Sequence, residues 1–252
     1  MSGIAVMRRA FGRLADLHLD IEVDRLVVRA LRAAAPGTRR VLVQAGLDAG
    51  LCRKDTVNRA TTCFLASSAF NLSDDLSDDD CHYLPPAPAQ PVVLILHSLF
   101  VAGLRDLHLP PDVEAQVLQD LVAAEEAQVL ETISTSWDAT RLQVVTDGIA
   151  GSQWSAYLRV MWAGTRMEHL SSEVARNFGR VALLAGDITM ADPRYNTLSR
   201  ADRRSVLEEA LTSLHALESV DTQITRSVIA ECGPVLAEEF DAVSVSDTAS
   251  TS

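Results

Sequence analysis

The chain has 252 residues, 48% of them hydrophobic, and carries 34 Asp and Glu against 22 Lys and Arg, a formal net charge of −12. That length and apolar content allow one large core and exclude general disorder, while the charge repels nucleic acid and anionic lipid. Aromatics make up only 5%, and the plentiful Ala, Leu and Val favour packed helices over a β-sandwich.

Nine prolines punctuate the sequence, and the stretches between them repeat apolar residues every three to four positions. That pattern predicts helices at roughly 4–34, 39–51, 55–79, 91–107, 111–134, 138–163, 171–192, 200–217 and 219–241. Asp138 and Ser171 read as N-caps, the latter with Glu173 behind it. Asp16, Asp20 and Asp24 recur at i, i+4, i+8, the solvated face of a first long helix. Strand signals are nearly absent, so the fold class is all-α: a single-domain helical bundle over 1–242, followed by a polar, disordered tail at 243–252.

The segment Thr61–Leu72 is apolar or small on almost every face, which makes its helix the buried centre of the bundle. The four cysteines are scattered without a Cys-x-x-Cys pair, which fits a reducing cytoplasm. No signal peptide is legible at the start, and no run of about 18 uninterrupted apolar residues marks a transmembrane segment.

Five aspartates in seven residues, Asp74-Asp75-Leu76-Ser77-Asp78-Asp79-Asp80, close the central helix. Carboxylates at a helix C-terminus face the negative end of the macrodipole, each unfavourable by roughly 0.3–1 kcal/mol. Helical spacing pairs Asp74 with Asp78 and Asp75 with Asp79 in two acidic ridges. Something must compensate that charge, and Mg²⁺ takes one or two carboxylates plus substrate phosphate oxygens. A cation-demanding helix end at the mouth of an apolar bundle suits an anionic headgroup on an apolar tail. A solvated acidic turn before the proline-rich loop is the plainer alternative.

Asp74-Asp75-x-x-Asp78 resembles the first aspartate-rich motif of the trans-isoprenyl diphosphate synthases and class I terpene synthases. Within that superfamily, the acidic run and Ile188-Thr189-Met190-Ala191-Asp192 resemble the moenomycin-pathway prenyltransferase, in register across roughly residues 30–200. The resemblance implies the isoprenoid synthase fold and Mg²⁺ held by Asp74, Asp75, Asp78 and Asp79 on a prenyl diphosphate. It also implies a homodimer and a non-isoprenoid small-molecule acceptor.

The departures from the family narrow the reading. Asp192 stands where a second aspartate-rich motif would bind further magnesium, either as a lone metal ligand or as a plain helix cap, and Pro193 follows it. Asp187 lies five residues earlier, about 140° round a helix, and is no obvious chelating partner. Gly151-Ser152 replaces a diphosphate-gripping Lys-Thr pair, leaving Ser152 as a candidate contact or a packing residue. Arg39 and Arg40 resemble part of the isopentenyl diphosphate site, and arginine suits phosphate through its bidentate fork. Arg194 and Tyr195, beside Asp192, are candidates to close over the headgroup. Phe70, four residues before Asp74, implies a short C10–C20 tail. The sequence thus leads to an Mg²⁺-assisted prenyltransferase. A terpene cyclase and a non-catalytic prenyl-diphosphate-binding subunit are the alternatives.

Overall fold

The computed structural model describes residues 3–34 and 36–245. Its chain is 82% helical, and no strand occurs among the described residues. The first helix read from sequence is two: α1 (Gly3–Ala15) and α2 (Ile21–Ala33). His18 takes a positive φ of 49° between them, and Asp20 caps α2 by accepting from the Glu22 N–H at 2.8 Å. The Asp16/Asp20/Asp24 periodicity therefore spans a break rather than one helix face.

α3 (Pro36–Asp48) leads by a short turn into α4 (Arg53–Ser77), the 25-residue helix anticipated as the centre. Every residue of α4 from Ala60 to Phe70 is buried, and α1, α2, α3 and α5 (Pro86–Asp106) pack round it. α5 begins about five residues earlier than the sequence suggested. Pro86 and Pro88 fall in its first turn, where the N–H has no intrahelical partner anyway, and Pro91 lies inside the helix. By length and composition α5 is also apolar enough to cross a membrane, with mean hydropathy 1.6; Val92, Leu96, Leu99, Phe100 and Leu104 are buried in the fold, while Leu94 is exposed. Arg59 of α4 donates to the carbonyls of Val160 (3.0 Å), Met161 (3.3 Å) and Ala163 (2.7 Å), and the Trp162 indole donates to Ala45 O at 3.0 Å. These bonds belong to one unit of the chain, residues up to Ala115 together with Val160–Glu168.

The other unit holds Gln116–Arg159 and the chain from His169 onward. α6 (Pro111–Thr132) runs into it, followed by α7 (Ala139–Thr146), a π-helical turn (Asp147–Ser152) and α8 (Gln153–Trp162). Asp138 caps α7 as anticipated, accepting from the Arg141 N–H at 2.7 Å. The π turn interrupts what the sequence presents as one continuous helix. Gly179 explains how it is accommodated, since a Cβ there would lie 2.6 Å from Gly151 N. Backbone meets backbone at that crossing, and only glycine permits it.

α9 (Ser171–Thr189) is the centre of this unit, packed by the π turn, α7, α10 (Pro193–Asn196), α11 (Arg200–Glu218) and α12 (Gln223–Val245). Ser171 is not its N-cap: a 3₁₀ turn, Glu168–Leu170, feeds directly into the helix, and Leu170 stands at the cap position without a side-chain bond. α12 continues through Val245, into the segment read as a tail, whose last seven residues lie outside the described residues.

Candidate functional site

The acidic run ends α4 in a Schellman motif. Asp78 is the C-cap, Asp79 takes the left-handed conformation at φ 55°, and the Asp80 N–H returns to Asp75 O at 2.8 Å. The left-handed residue carries Asp79 off the helical surface, so the anticipated Asp75/Asp79 ridge does not form. The reversed chain instead brings Tyr83 back to Asp75, to which its phenol donates at 2.5 Å. Burial and that bond push the Tyr83 hydroxyl well above the usual phenol range, so it stays a donor at neutral pH. Asp74 and Asp75 are half-buried; Asp78, Asp79 and Asp80 are exposed, and Asp80 lies 2.7 Å from His82 Nε2.

Below this end, Phe70 is 5% exposed and meets the His97 ring of α5 edge-on, centroids 6.2 Å apart. Burial lowers the His97 pKa and favours the neutral imidazole. Phe70 precedes Asp74 by one helical turn, so it lies under the same face of α4.

The arginines read as phosphate ligands are not gathered at this end. Arg39 lays its guanidinium over Phe64, 5.3 Å from the ring centroid. Phe64 is ten residues before Asp74, roughly 15 Å down the helix at 1.5 Å per residue. Arg40 is exposed. Ser152 lies on the π turn, where its hydroxyl donates to Asp147 O at 3.3 Å; it lines a polar recess with Arg159 and Arg176.

The end of α9 repeats the backbone of the end of α4. Met190 is the C-cap, Ala191 takes φ 54°, and the Asp192 N–H returns to Asp187 O at 2.8 Å. Here an arginine fills the bend. Arg194 Nη2 donates to Asp187 Oδ1 at 2.8 Å and to Asp192 Oδ2 at 3.1 Å, its Nε donates to Asp192 Oδ1 at 3.1 Å, and its Nη1 bonds Glu131 of α6. Asp192 also caps α10, accepting from the Arg194 backbone N–H at 2.8 Å. Asp187 and Asp192, set 140° apart by helical arithmetic, thus share one guanidinium, because the helix ends before Asp192.

Asp187 is 3% exposed, and its Oδ2 has no hydrogen-bond partner. Burial pushes its pKa up to about 6 against the pull of Arg194, with Asp192 adding to the rise. The acids in turn hold the Arg194 charge: burial opposes it, but Asp187 and Glu131 more than restore it, raising its pKa. Tyr195, read as a headgroup contact, is 1% exposed, donates its phenol to Glu239 Oε1 of α12 at 2.9 Å, and lies under the Arg203 guanidinium.

Among the described residues no three Asp, Glu, His or Cys side chains converge tightly enough to cage a metal by themselves. The end of α4 nevertheless suits Mg²⁺, which needs one or two carboxylates and draws its remaining ligands from water and phosphate. Asp74, Asp75 and Asp78 would supply them. At the end of α9 a guanidinium already engages all three carboxylates, Asp187, Asp192 and Glu131. Tyr83 and Glu131 are the residues sequence reasoning missed here, and Asp187 is the one it set aside.

No family model matches the sequence, and no curated protein does. Solved structures do. A geranyltranstransferase from Thermotoga maritima aligns with TM-score 0.66 and 11% identity, over 92% of this chain and 97% of its own. An isoprenoid synthase family member from Thermotoga neapolitana gives 0.66 and 15%, over 97% and 98%. An FPP/GFPP synthase from Zymomonas mobilis gives 0.59 and 17%, over 93% and 99%. At such identities the likeness establishes the fold: this chain has the all-α isoprenoid synthase fold.

Proposed function

We propose that the chain is a prenyltransferase that moves a short isoprenyl group, C10 to C20, from its diphosphate to a non-isoprenoid small-molecule acceptor. The observation that carries this reading is the acidic end of α4, five aspartates closing a helix buried from Ala60 to Phe70. The fold, shared with a geranyltranstransferase and an FPP/GFPP synthase, supports it.

Asp74, Asp75 and Asp78 would hold Mg²⁺ on the headgroup, with exposed Asp79 beside them. Bound there, the metal supplies positive charge to the diphosphate oxygens. Tyr83 orients Asp75 through one carboxylate oxygen. The allylic C–O bond breaks with its electron pair on the diphosphate, and the acceptor's nucleophile captures the carbon and gives up its proton. The apolar helix face keeps water from that cation, and Phe70 stands one turn below the aspartates as a stop for the tail. The Arg39 guanidinium over Phe64 favours transfer to an acceptor over elongation with isopentenyl diphosphate, which needs cations at the headgroup.

We further propose a homodimer formed through α6. Leu118, Val122 and Val129, with Ile133 just beyond the helix, make a stripe at spacings of four, seven and four that is 41%, 68%, 59% and 63% exposed. The four cysteines are free thiols, and we place the protein in the cytoplasm.

Incubating the purified chain with C10, C15 and C20 prenyl diphosphates and Mg²⁺ tests the proposal. Pyrophosphate should be released only when an acceptor pool is added, and Asp75→Ala should lower that release on the order of 1,000-fold. Hydrocarbon products without an acceptor would identify a cyclase instead. No turnover, with prenyl diphosphate affinity unchanged in Asp75→Ala, would remove the enzyme reading.

A further inference from the structure

We infer that the Arg194 guanidinium is the resident cation of the acidic end of α9, and that divalent metal binds this chain at the end of α4 without Asp192 as a ligand. The inference rests on the reading of α4 as a metal site and adds to it where metal does not go.

The geometry leaves little for a metal to take. Arg194 uses three nitrogens on three carboxylates: Nε and Nη2 on Asp192, Nη2 on Asp187, and Nη1 on Glu131. Asp192 is bonded at both oxygens, and its Oδ1 also accepts the Arg194 backbone N–H. Glu131 is likewise bonded at both, since Gln128 Nε2 donates to its Oε2 at 3.2 Å. A divalent ion would have to displace these charge-assisted bonds, break the cap of α10, and push a half-buried cation aside. Like charge at such a distance repels strongly where solvent is scarce.

The linkage is also well supported from outside. Arg194 is carried by α10, a single turn whose Tyr195 is buried and bonded to α12, so the guanidinium cannot swing away cheaply. The one atom without a partner is Asp187 Oδ2. It is buried, and the same burial that isolates it favours a proton there. A lone oxygen behind a guanidinium offers a metal a single ligand. The end of α4 has the same backbone but a neutral phenol in the corresponding place.

The experiment counts bound Mn²⁺, as the paramagnetic substitute for Mg²⁺, in the full chain with inorganic pyrophosphate. Asp192→Asn should bind as many Mn²⁺ ions as the unaltered protein, and Asp75→Ala should bind fewer. Arg194→Ala should gain one Mn²⁺ per chain, and Arg194→Ala combined with Asp192→Asn should lose that gain. A Mn²⁺ ion missing from Asp192→Asn overturns the inference, as does a folded Arg194→Ala that gains none. Should Arg194→Ala fail to fold, Asp192→Asn alone still decides. An unchanged count in Asp75→Ala would instead refute the metal reading of α4, whatever happens at Asp192.

Discussion

The ends of α4 and α9 are built on one backbone plan and solve opposite charge problems. Each has an aspartate three residues before the C-cap (Asp75, Asp187), a left-handed non-glycine residue just after it (Asp79, Ala191), and a second aspartate whose N–H returns at 2.8 Å (Asp80, Asp192). At α9 a fixed guanidinium meets the acids; Asp187 is buried and Arg194 half-buried. At α4 the acids are half-buried or exposed, and the partner reaching back to Asp75 is a phenol. The same local fold therefore yields one end whose three carboxylates share a guanidinium and another whose Asp75 meets a phenol. What separates them is the side chain that the left-handed turn delivers, not the turn.

The largest effect expected from this contrast is on stability against pH at α9. Asp187 has a folded pKa of about 6 against an ordinary 3.8, so the folded chain binds a proton there more tightly than the unfolded chain does. Stability from this group is then full below about pH 4 and is lost as pH rises towards 6, by about 3 kcal/mol for the 6 − 3.8 difference. Arg194 meets this carboxylate at 2.8 Å, and Asp192 and Glu131 bond the same guanidinium. Urea unfolding of the wild type and Asp187→Asn from pH 4 to 7.5 should show the wild type losing ground to the variant as pH rises. A pH-independent difference would mean that Arg194 holds Asp187 ionised.

A smaller effect is expected at α4. Tyr83→Phe removes the bond that orients Asp75 but leaves the aromatic ring, so folding should change by about 1 kcal/mol. The apparent Mg²⁺ affinity in the presence of pyrophosphate should weaken about 10- to 100-fold, the usual scale for a residue that holds a metal ligand. Mg²⁺ titration of both proteins checks it. Equal affinities would leave Tyr83 a loop anchor and no more.

How much of this was legible in the sequence follows from how local each feature is. The buried centre of α4 and its acidic end are contiguous in sequence, so periodicity and charge alone exposed them, and the all-α fold with them. Tyr83 and Arg194 were not legible in their roles, because each reaches its aspartate only after a left-handed residue reverses the chain. Helical-wheel arithmetic fails beyond such a residue, which is why Asp187 and Asp192 looked unrelated and Asp75 and Asp79 looked paired. Arg39 looked like a phosphate ligand because sequence shows its charge and hides Phe64 beneath it. Tyr195 read as a headgroup contact because sequence hides its burial and its bond to Glu239, 44 residues away. The π turn was hidden too, since Gly148 and Gly151 equally suit a continuous helix next to a close neighbour.

The smallest effect tests the shared turn itself. A side chain in the left-handed region costs roughly 1–2 kcal/mol, less for aspartate than for alanine, and glycine returns part of any gain through its own entropy. Ala191→Gly should therefore stabilise the chain by about 1 kcal/mol and Asp79→Gly by less. Thermal unfolding should register the first as a rise of a few degrees. The two variants should differ in Mg²⁺ response. Ala191→Gly alters no carboxylate and should leave Mg²⁺ affinity unchanged, whereas Asp79→Gly should weaken it if the exposed Asp79 carboxylate contributes a ligand. Equal Mg²⁺ affinity in both would reduce the metal set at α4 to Asp74, Asp75 and Asp78, with Asp79 serving only to turn the chain towards Tyr83.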